Sequence, residues 1–317
     1  MSNEIESAYK YCENVTKIHA KSFYFAAKFL PKPKRRAVYP IYAFCRHVDD
    51  EIDEIGDGGE SEAIRAVEKW KHKLKQVYAC EKQSAEGSDN NQDQNSVFTA
   101  WSDLLKTYKI PQNLPLELMQ GVLMDTHIKR YKTFDELCIY CYRVASTVGL
   151  MSSEILGYSD KSALRYAEAM GIAMQLTNIL RDVKEDAAMG RIYLPQEDLK
   201  RFNVSEKQIF AGEMNENFVE MMKFQITRAR DFYRNGEKGI ALLEKDSRFT
   251  VLLAARIYSR ILDEIERQNY DVFSRRASTT FSQKILSLPK IWRAARNLQD
   301  NNSATENTEK SREKINF

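Results

Sequence analysis

The chain has 317 residues, of which 43% are apolar and 29% charged, enough for a buried core and too apolar for general disorder. A formal net charge of only +3 argues against a dedicated nucleic-acid binder. No apolar run reaches the roughly 18 residues of a membrane span, and Met1 to Lys10 has no signal-peptide core, so the cytoplasm is the expected compartment.

With 12 Gly and 7 Pro, the chain is poor in punctuation, and its apolar period is helical almost throughout. The pattern predicts helices over 3–20, 34–54, 61–83, 96–108, 114–129, 133–157, 160–185, 205–212, 215–243, 246–268 and 278–295, and an all-α fold. Pro40 either bends the second helix or begins it. Glu81 to Asn95, "EKQSAEGSDNNQDQN", reads as a loop. Residues 1–298 read as one domain, and 299–317 as a polar tail without structure. The odd cysteine count (Cys12, Cys45, Cys80, Cys138, Cys141) fits reduced thiols. Cys138 and Cys141 have no second pair beside them, so they read as small helix residues rather than a zinc site.

Two helices carry acids where a core face is expected. In "VYPIYAFCRHVDDEID", an advance of about 100° per residue puts Tyr42, Arg46, Asp49 and Asp53 on one stripe, with Asp50 to the side. Ile41, Cys45, Val48 and Ile52 form the neighbouring apolar stripe. In "QLTNILRDVKED", Gln175, Asn178, Asp182 and Asp186 align beside Leu176, Ile179, Leu180 and Val183. One Asp-x-x-x-Asp on an exposed helix would carry little meaning, since like charges one turn apart repel only slightly. Two of them on apolar helices would be costly unless paired or holding cations. Asp and Asn oxygens suit a hard ion such as Mg²⁺, with Mn²⁺ as an alternative. Mg²⁺ takes one or two carboxylates and completes its shell with water and substrate phosphate, so two acidic helices would clamp a metal-bound diphosphate. Arg46 and Arg181 would neutralise the remaining charge. A glycosidase-type acid and base pair needs no such duplication and ranks lower.

Other features stay open between structure and function. Ala145 with Gly149, and Ala169 with Ala173, either pack helices closely or make room for a ligand. The run "KFLPKPKRR", Lys28 to Arg36, is a solvated helix start or an attraction to anionic lipid. His47 reads as a solvated neighbour of Asp49; of the four histidines, only His19 lies in a motif that invites a site reading.

Together, "HAKSFYFAAKFLP", "YAFCRHVDDEID", "YCYRVASTVG", "QLTNILRDVKEDAAMGRIYLP" and "LAARIYSRILDEI" resemble the squalene/phytoene synthase family, its bacterial phytoene synthases most of all. The segments stand in the family's order from Lys10 to about Arg276. The resemblance implies an all-α isoprenoid-synthase bundle around a central hydrophobic cavity. It also implies Mg²⁺-dependent head-to-head joining of two prenyl diphosphates through a cyclopropyl diphosphate. Two geranylgeranyl diphosphates would give phytoene; farnesyl diphosphate would give dehydrosqualene, squalene or presqualene diphosphate. By similarity, Asp49 and Asp53 form the first metal motif, and Asn178, Asp182 and Asp186 the second; these four aspartates are the catalytic set. Arg46, Arg181 and Arg275 match diphosphate contacts. His19, Lys21, Ser22, Phe23, Tyr42, Gln175 and Tyr258 match substrate-contacting positions, and Tyr140 and Tyr193 match tyrosines at the reaction centre. Ala20 departs from relatives that carry Ser there. The resemblance to phytoene synthases, whose product keeps a central double bond, implies that NADPH is not expected; no Gly-rich dinucleotide signature is present, although the NADPH site of the family's squalene synthases is not a Rossmann one. A non-catalytic subunit of the same fold would have lost the acids that this chain keeps. Oligomeric state is not legible, and peripheral membrane association stays open.

Overall fold

The helical period becomes fifteen α-helices among the described residues, with no strand. The computed structural model describes the backbone over 2–55, 59–79 and 92–313, with side chains described between 3 and 298. Cys80, positions 81–91 of the expected loop and 314–317 of the expected tail lie outside the described residues.

In chain order the helices are α1 (Ser2–His19), α2 (Lys21–Ala27), α3 (Lys32–Ile55), α4 (Glu60–Tyr78), α5 (Gln92–Leu105), α6 (Asn113–His127) and α7 (Phe134–Cys141). A π-helical turn, Tyr142–Ser146, leads into α8 (Thr147–Leu156). Then come α9 (Ala163–Arg181), α10 (Val183–Ala188), α11 (Gln196–Arg201), α12 (Glu206–Ala211) and α13 (Glu216–Lys238). A 3₁₀ turn, Gly239–Leu242, precedes α14 (Lys245–Arg267), and α15 (Phe281–Glu313) is last. Pro40 lies inside α3 rather than at its start. The short helices α2 and α11 were not expected. The chain breaks at Ala20, where φ −126° and ψ 59° leave the helical region, and α11 starts only after Pro195. Both are too short for apolar periodicity to register. α15 continues through Glu313, past the point where the sequence reading begins an unstructured tail.

Two large apolar cores form around these helices. The first gathers residues of α1, α3 to α6 and α8, centred on the rings of Phe44, Trp70, Phe98 and Trp101. Each ring is essentially inaccessible, and truncating one to Ala would cost about 3–5 kcal/mol. The second core gathers α7 and α9 to α14, including Leu180, Phe218, Met221 and Leu262. A small third core joins α2, α14 and α15. α9 ties the assembly together by packing on α8, α13, α14 and the π turn.

The expected helix 133–157 is interrupted by that π turn, which lies between α6 and α9. Two glycines let it in. A Cβ on Gly171 would sit 2.4 Å from Ser146 Cα, and one on Gly121 would sit 2.7 Å from Arg143 Cβ. Gly149 likewise faces the Ala167 carbonyl, which a Cβ would approach to 3.1 Å. Close helix packing therefore explains Gly149, while Ala145 beside it keeps partial exposure.

One isolated bridge matters for the site. Arg130 pairs with Ile192, and the Ile192 and Gln196 amides donate to Lys129 and Tyr131 carbonyls at 3.1 and 2.9 Å. This laces the loop after α6 to the loop after α10 and sets Tyr131 against Tyr193. No described helix is long and apolar enough to cross a membrane.

Candidate active site

The first acidic motif lies on the C-terminal half of α3. Arg46 makes a two-pronged pair with Asp50, with Nε to Oδ2 at 2.9 Å, and reaches Asp49 at 3.5 Å. Asp50, set to the side in the sequence reading, is therefore the main partner of Arg46. The i,i+4 spacing explains this, since it brings the two side chains onto one ridge. Asp49 is half-exposed, and Asp53 is exposed near the helix end. Burial and then the charge of Asp53 push the Asp49 carboxyl up to about 7. Phe23 of α2 stacks on Tyr42 with ring centres 6.0 Å apart. His47 is not simply solvated, because it stacks on Tyr11 and shares a 2.7 Å hydrogen bond with its hydroxyl.

The second motif does not lie on one straight helix. Helix geometry stops at Asp182, with φ −105° and ψ 19°, and resumes as α10. The ladder continues across the break: Asp182 N donates to Asn178 O, and Asp186 N to Asp182 O. The break coincides with an ion pair between sequence neighbours, which an ideal helix does not allow to face each other. Arg181 grips Asp182 through both prongs, at 2.7 and 2.5 Å. Arg276 grips the same carboxylate from the segment before α15, at 2.7 and 2.9 Å. Burial alone would raise the Asp182 carboxyl, but the two guanidiniums outweigh it and hold it below the usual carboxylate range. Arg276, which the sequence did not single out, is therefore the arginine paired with Asp182 here. Arg275 is exposed, and its carbonyl accepts from Gln268.

Tyr258 of α14 donates to Asn178 Oδ1, and Asn178 Nδ2 donates to Gln175 at 3.2 Å. Arg181 Nη1 also reaches the Tyr258 hydroxyl, at 3.4 Å. Gln175, Asn178, Arg181, Asp182, Tyr258 and Arg276 thus form one network. Asp186 stands outside it. Burial, then Asp182 and Asp125, push its carboxyl up to about 8.

Asp125 is the residue that the sequence reading missed. It lies on α6 and is 8% exposed. Its carboxylate accepts from Tyr140 at 2.9 Å and from Tyr193 at 2.7 Å. Those two rings stack at 5.1 Å, with Tyr131 against both. Burial raises the Asp125 carboxyl, although Tyr193, Arg191 and Tyr140 pull it back. Burial and the carboxylate hold the Tyr140 hydroxyl well above its ordinary range, so it stays a neutral donor. Asp125 is near enough to raise the carboxyls of both Asp49 and Asp186, so the fields of the two motifs overlap at it. A lone Asp in the apolar run "LPLELMQGVLMD" was the available signal. Arg191, half-buried with its Nε unpaired, lies in a segment read only for its tyrosine.

The N-terminal positions divide. Ser22 Oγ accepts from Lys284 Nζ of α15 at 2.8 Å. Burial and then Lys21 lower the Lys284 ammonium, so two cations meet beside Ser22. His19 is exposed at the end of α1, near enough to His47 to oppose its protonation.

The donor set fits Mg²⁺ in kind, since Asp49, Asp53, Asn178, Asp182 and Asp186 offer oxygen alone. Among the described residues, no three His, Cys, Asp or Glu side chains converge to hold one ion. Asp49 and Asp186, raised by burial and by negative neighbours, are the carboxyls a cation would relieve most. A surface cleft of about 440 Å³ lies elsewhere, between α1, α3 and α5. It is lined by Tyr9, Lys32, Arg36, Asp103 and Tyr108, among others, and by none of the expected site residues.

The sequence matches the squalene/phytoene synthase family over residues 16–283. A 15-cis-phytoene synthase of Synechocystis sp. is 39% identical over 300 residues, covering 91% of this chain and 85% of that protein. A chloroplastic phytoene synthase of Daucus carota is 38% identical, covering 92% of this chain and 72% of that one. Among solved structures, a dehydrosqualene synthase in complex with ligand superposes with a TM-score of 0.83 at 29% identity, covering 93% of this chain and 99% of that one. Two acidic motifs joined by a buried carboxylate, on an all-α fold shared with these relatives over nearly its whole length, place this chain in the squalene/phytoene synthase family.

Proposed function

We infer that the chain is a phytoene synthase, a prenyltransferase of carotenoid biosynthesis that joins two geranylgeranyl diphosphates head to head. The observation that carries this reading is two acidic motifs each gripped by guanidiniums, Arg46 on Asp49 and Asp50 and Arg181 with Arg276 on Asp182, beside a buried Asp125 held by Tyr140 and Tyr193. The similarity to phytoene synthases chooses the product. A farnesyl-using activity is the alternative, because the superposable structure is a dehydrosqualene synthase.

Mg²⁺ held by Asp49, Asp53, Asn178, Asp182 and Asp186 would neutralise charge on the departing diphosphate. Arg46 and Arg181, now paired with Asp50 and Asp182, can exchange a carboxylate for phosphate without changing the sign of their partner. Arg276, Lys21 and Lys284 add positive charge on the substrate side. The first substrate ionises to an allylic cation and releases diphosphate. The double bond of the second attacks it, and loss of a proton closes the cyclopropyl diphosphate. A second ionisation, rearrangement and proton loss give the hydrocarbon, with no reductant consumed. Phe23, Tyr42 and Tyr258 offer aromatic faces to the cations. Asp125 accepts from the Tyr140 and Tyr193 hydroxyls, which fixes their orientation and occupies their protons.

Carbocations need a dry cavity. Phe23, Cys45, Val144, Val148, Met174 and Tyr258, partly buried and packed against the two large cores, are side chains of the kind such a cavity needs. Residues 1–298 are read as one domain around it. The hydrocarbon product is insoluble in water, which favours action at a membrane surface. Asp49→Ala or Asp182→Ala should abolish Mg²⁺-dependent condensation in a folded protein; near-normal turnover in either would overturn the metal assignment.

A further inference from the structure

Five exposed large apolar side chains fall on two neighbouring segments: Phe29 after α2, and Phe281, Ile285, Leu286 and Trp292 on α15. Leu286 is 78% exposed, Phe281 69% and Trp292 53%. A chain of edge-to-face rings links the segments, from Phe249 to Phe29 at 5.1 Å, Phe25 at 5.8 Å and Phe281 at 6.0 Å. The inner face of α15 is already used, because Leu288, Ile291, Ala295 and Leu298 belong to the third core. Ile285, Leu286 and Trp292 therefore belong to no core among the described residues. A helix that only met water would be polar there.

Charge says what the face meets. Residues 14–48 contain eight Lys or Arg and no Asp or Glu, and residues 272–299 contain six and none. In a chain of 48 Lys and Arg against 45 Asp and Glu, these are two acid-free stretches, and the fold packs them together where Phe25 meets Phe281 and Ser22 meets Lys284. Lys290, Arg293 and Arg296 are exposed beside Trp292, and Arg296 lies 4.7 Å over its ring. The basic run that leads into the first turns of α3 contributes less than its sequence suggests. Lys34 is held by Glu244 and Asp246, and Arg36 by Glu6. The acid that meets α15, Glu264, is itself paired with Arg267 and bonded to Gln283, so exposed apolar groups with Lys290, Arg293 and Arg296 beside them match an anionic lipid surface. Against a second copy of the same face, cations would meet cations.

We propose that the outer face of α15, with Phe29, docks on an anionic bilayer and sets Lys21, Ser22 and Lys284 at the lipid surface. The proposal rests on the reaction inferred above, whose substrates carry long apolar tails and whose product is a hydrocarbon. The test is flotation of the full chain with phosphatidylcholine vesicles, with and without phosphatidylglycerol. Wild type should float with the anionic vesicles only, with a blue shift of its tryptophan emission. Leu286→Ser with Trp292→Ser, and separately Lys290→Glu with Arg293→Glu, should each lower the bound fraction by roughly fivefold or more. Both should keep the wild-type melting temperature and turnover in detergent. Wild type that fails to float, or variants that float equally well, would overturn the docking face. So would variants that convert a dimer to a monomer on size exclusion without changing flotation. A chain that floats but turns over neither substrate in detergent overturns the proposed reaction and not the docking.

Discussion

Replacing Asp125 by Asn tests whether this buried carboxylate positions the reaction centre. The substitution keeps shape and removes charge. Asp125 accepts two hydrogen bonds, from Tyr140 at 2.9 Å and Tyr193 at 2.7 Å. Hydrogen bonds to a charged group contribute about 1.5–3 kcal/mol each. Asn retains one acceptor oxygen and turns its NH₂ toward the other tyrosine, so about one such bond is lost. Relief of the buried charge, which already raises the Asp125 carboxyl, offsets part of that loss. The expected net destabilisation is about 1–2 kcal/mol, or a fall of roughly 2–8 °C in Tm. The effect on catalysis should be larger, because a misplacement of about 1 Å at a reacting centre can cost about 100-fold. Turnover would be measured with saturating substrate and Mg²⁺, alongside Tyr140→Phe, Tyr193→Phe and the double variants with Asp125→Asn. Groups acting as one unit should be strongly non-additive. The pH profile should move as well. Loss of Asp125 removes a charge that raises Asp49 and Asp186, so the acid limb should shift to lower pH. An Asn variant with the expected fall in Tm but turnover within twofold of wild type would refute the positioning role.

Asp49→Ala and Asp182→Ala should each lower turnover by about 1,000-fold or more with the helical circular dichroism unchanged. Arg276→Ala should raise KM by roughly tenfold through loss of a charge-assisted contact, whereas exposed Arg275→Ala should stay near wild type; equal effects would reverse the assignment. Gly171→Ala forces a methyl to within 2.4 Å of Ser146 Cα and should cost about 3 kcal/mol, read as a fall of several degrees in Tm. In metal-free protein, Asp49 and Asp186 have folded values of about 7 and 8, above their unfolded value of 3.8. The folded state then holds the extra protons, so stability should fall as pH rises from about 4 through 8. Mg²⁺ with inorganic diphosphate should raise Tm most at pH 8, and a Tm that climbs with pH in the metal-free protein would contradict this.

The sequence made the helices legible because their apolar faces are long, and the two acidic motifs legible because they interrupt those faces. It could not show the break at Asp182. That break coincides with the pairing of Asp182 with neighbouring Arg181 and with Arg276, which is 94 residues away in sequence. The same limit hid Arg276, since only the fold decides which of two adjacent arginines reaches the Asp182 carboxylate. Asp125 escaped because its partners Tyr140 and Tyr193 come from other segments, and no spacing on its own helix announces them. The π turn escaped because its cause, the close approach of Gly121 and Gly171, is tertiary. The face on α15 is the reverse case. Its apolar residues were visible in the sequence, but only the packing of Leu288 and Ile291 revealed which of them were left over.

The most direct test of the inferred reaction is to incubate the purified chain with geranylgeranyl diphosphate or farnesyl diphosphate, with and without Mg²⁺ and NADPH, and to identify the hydrocarbon by mass. Phytoene should form from geranylgeranyl diphosphate, dependent on Mg²⁺ and indifferent to NADPH. A thirty-carbon product from farnesyl diphosphate alone, or a hydrocarbon formed only with NADPH, would contradict the inferred reaction.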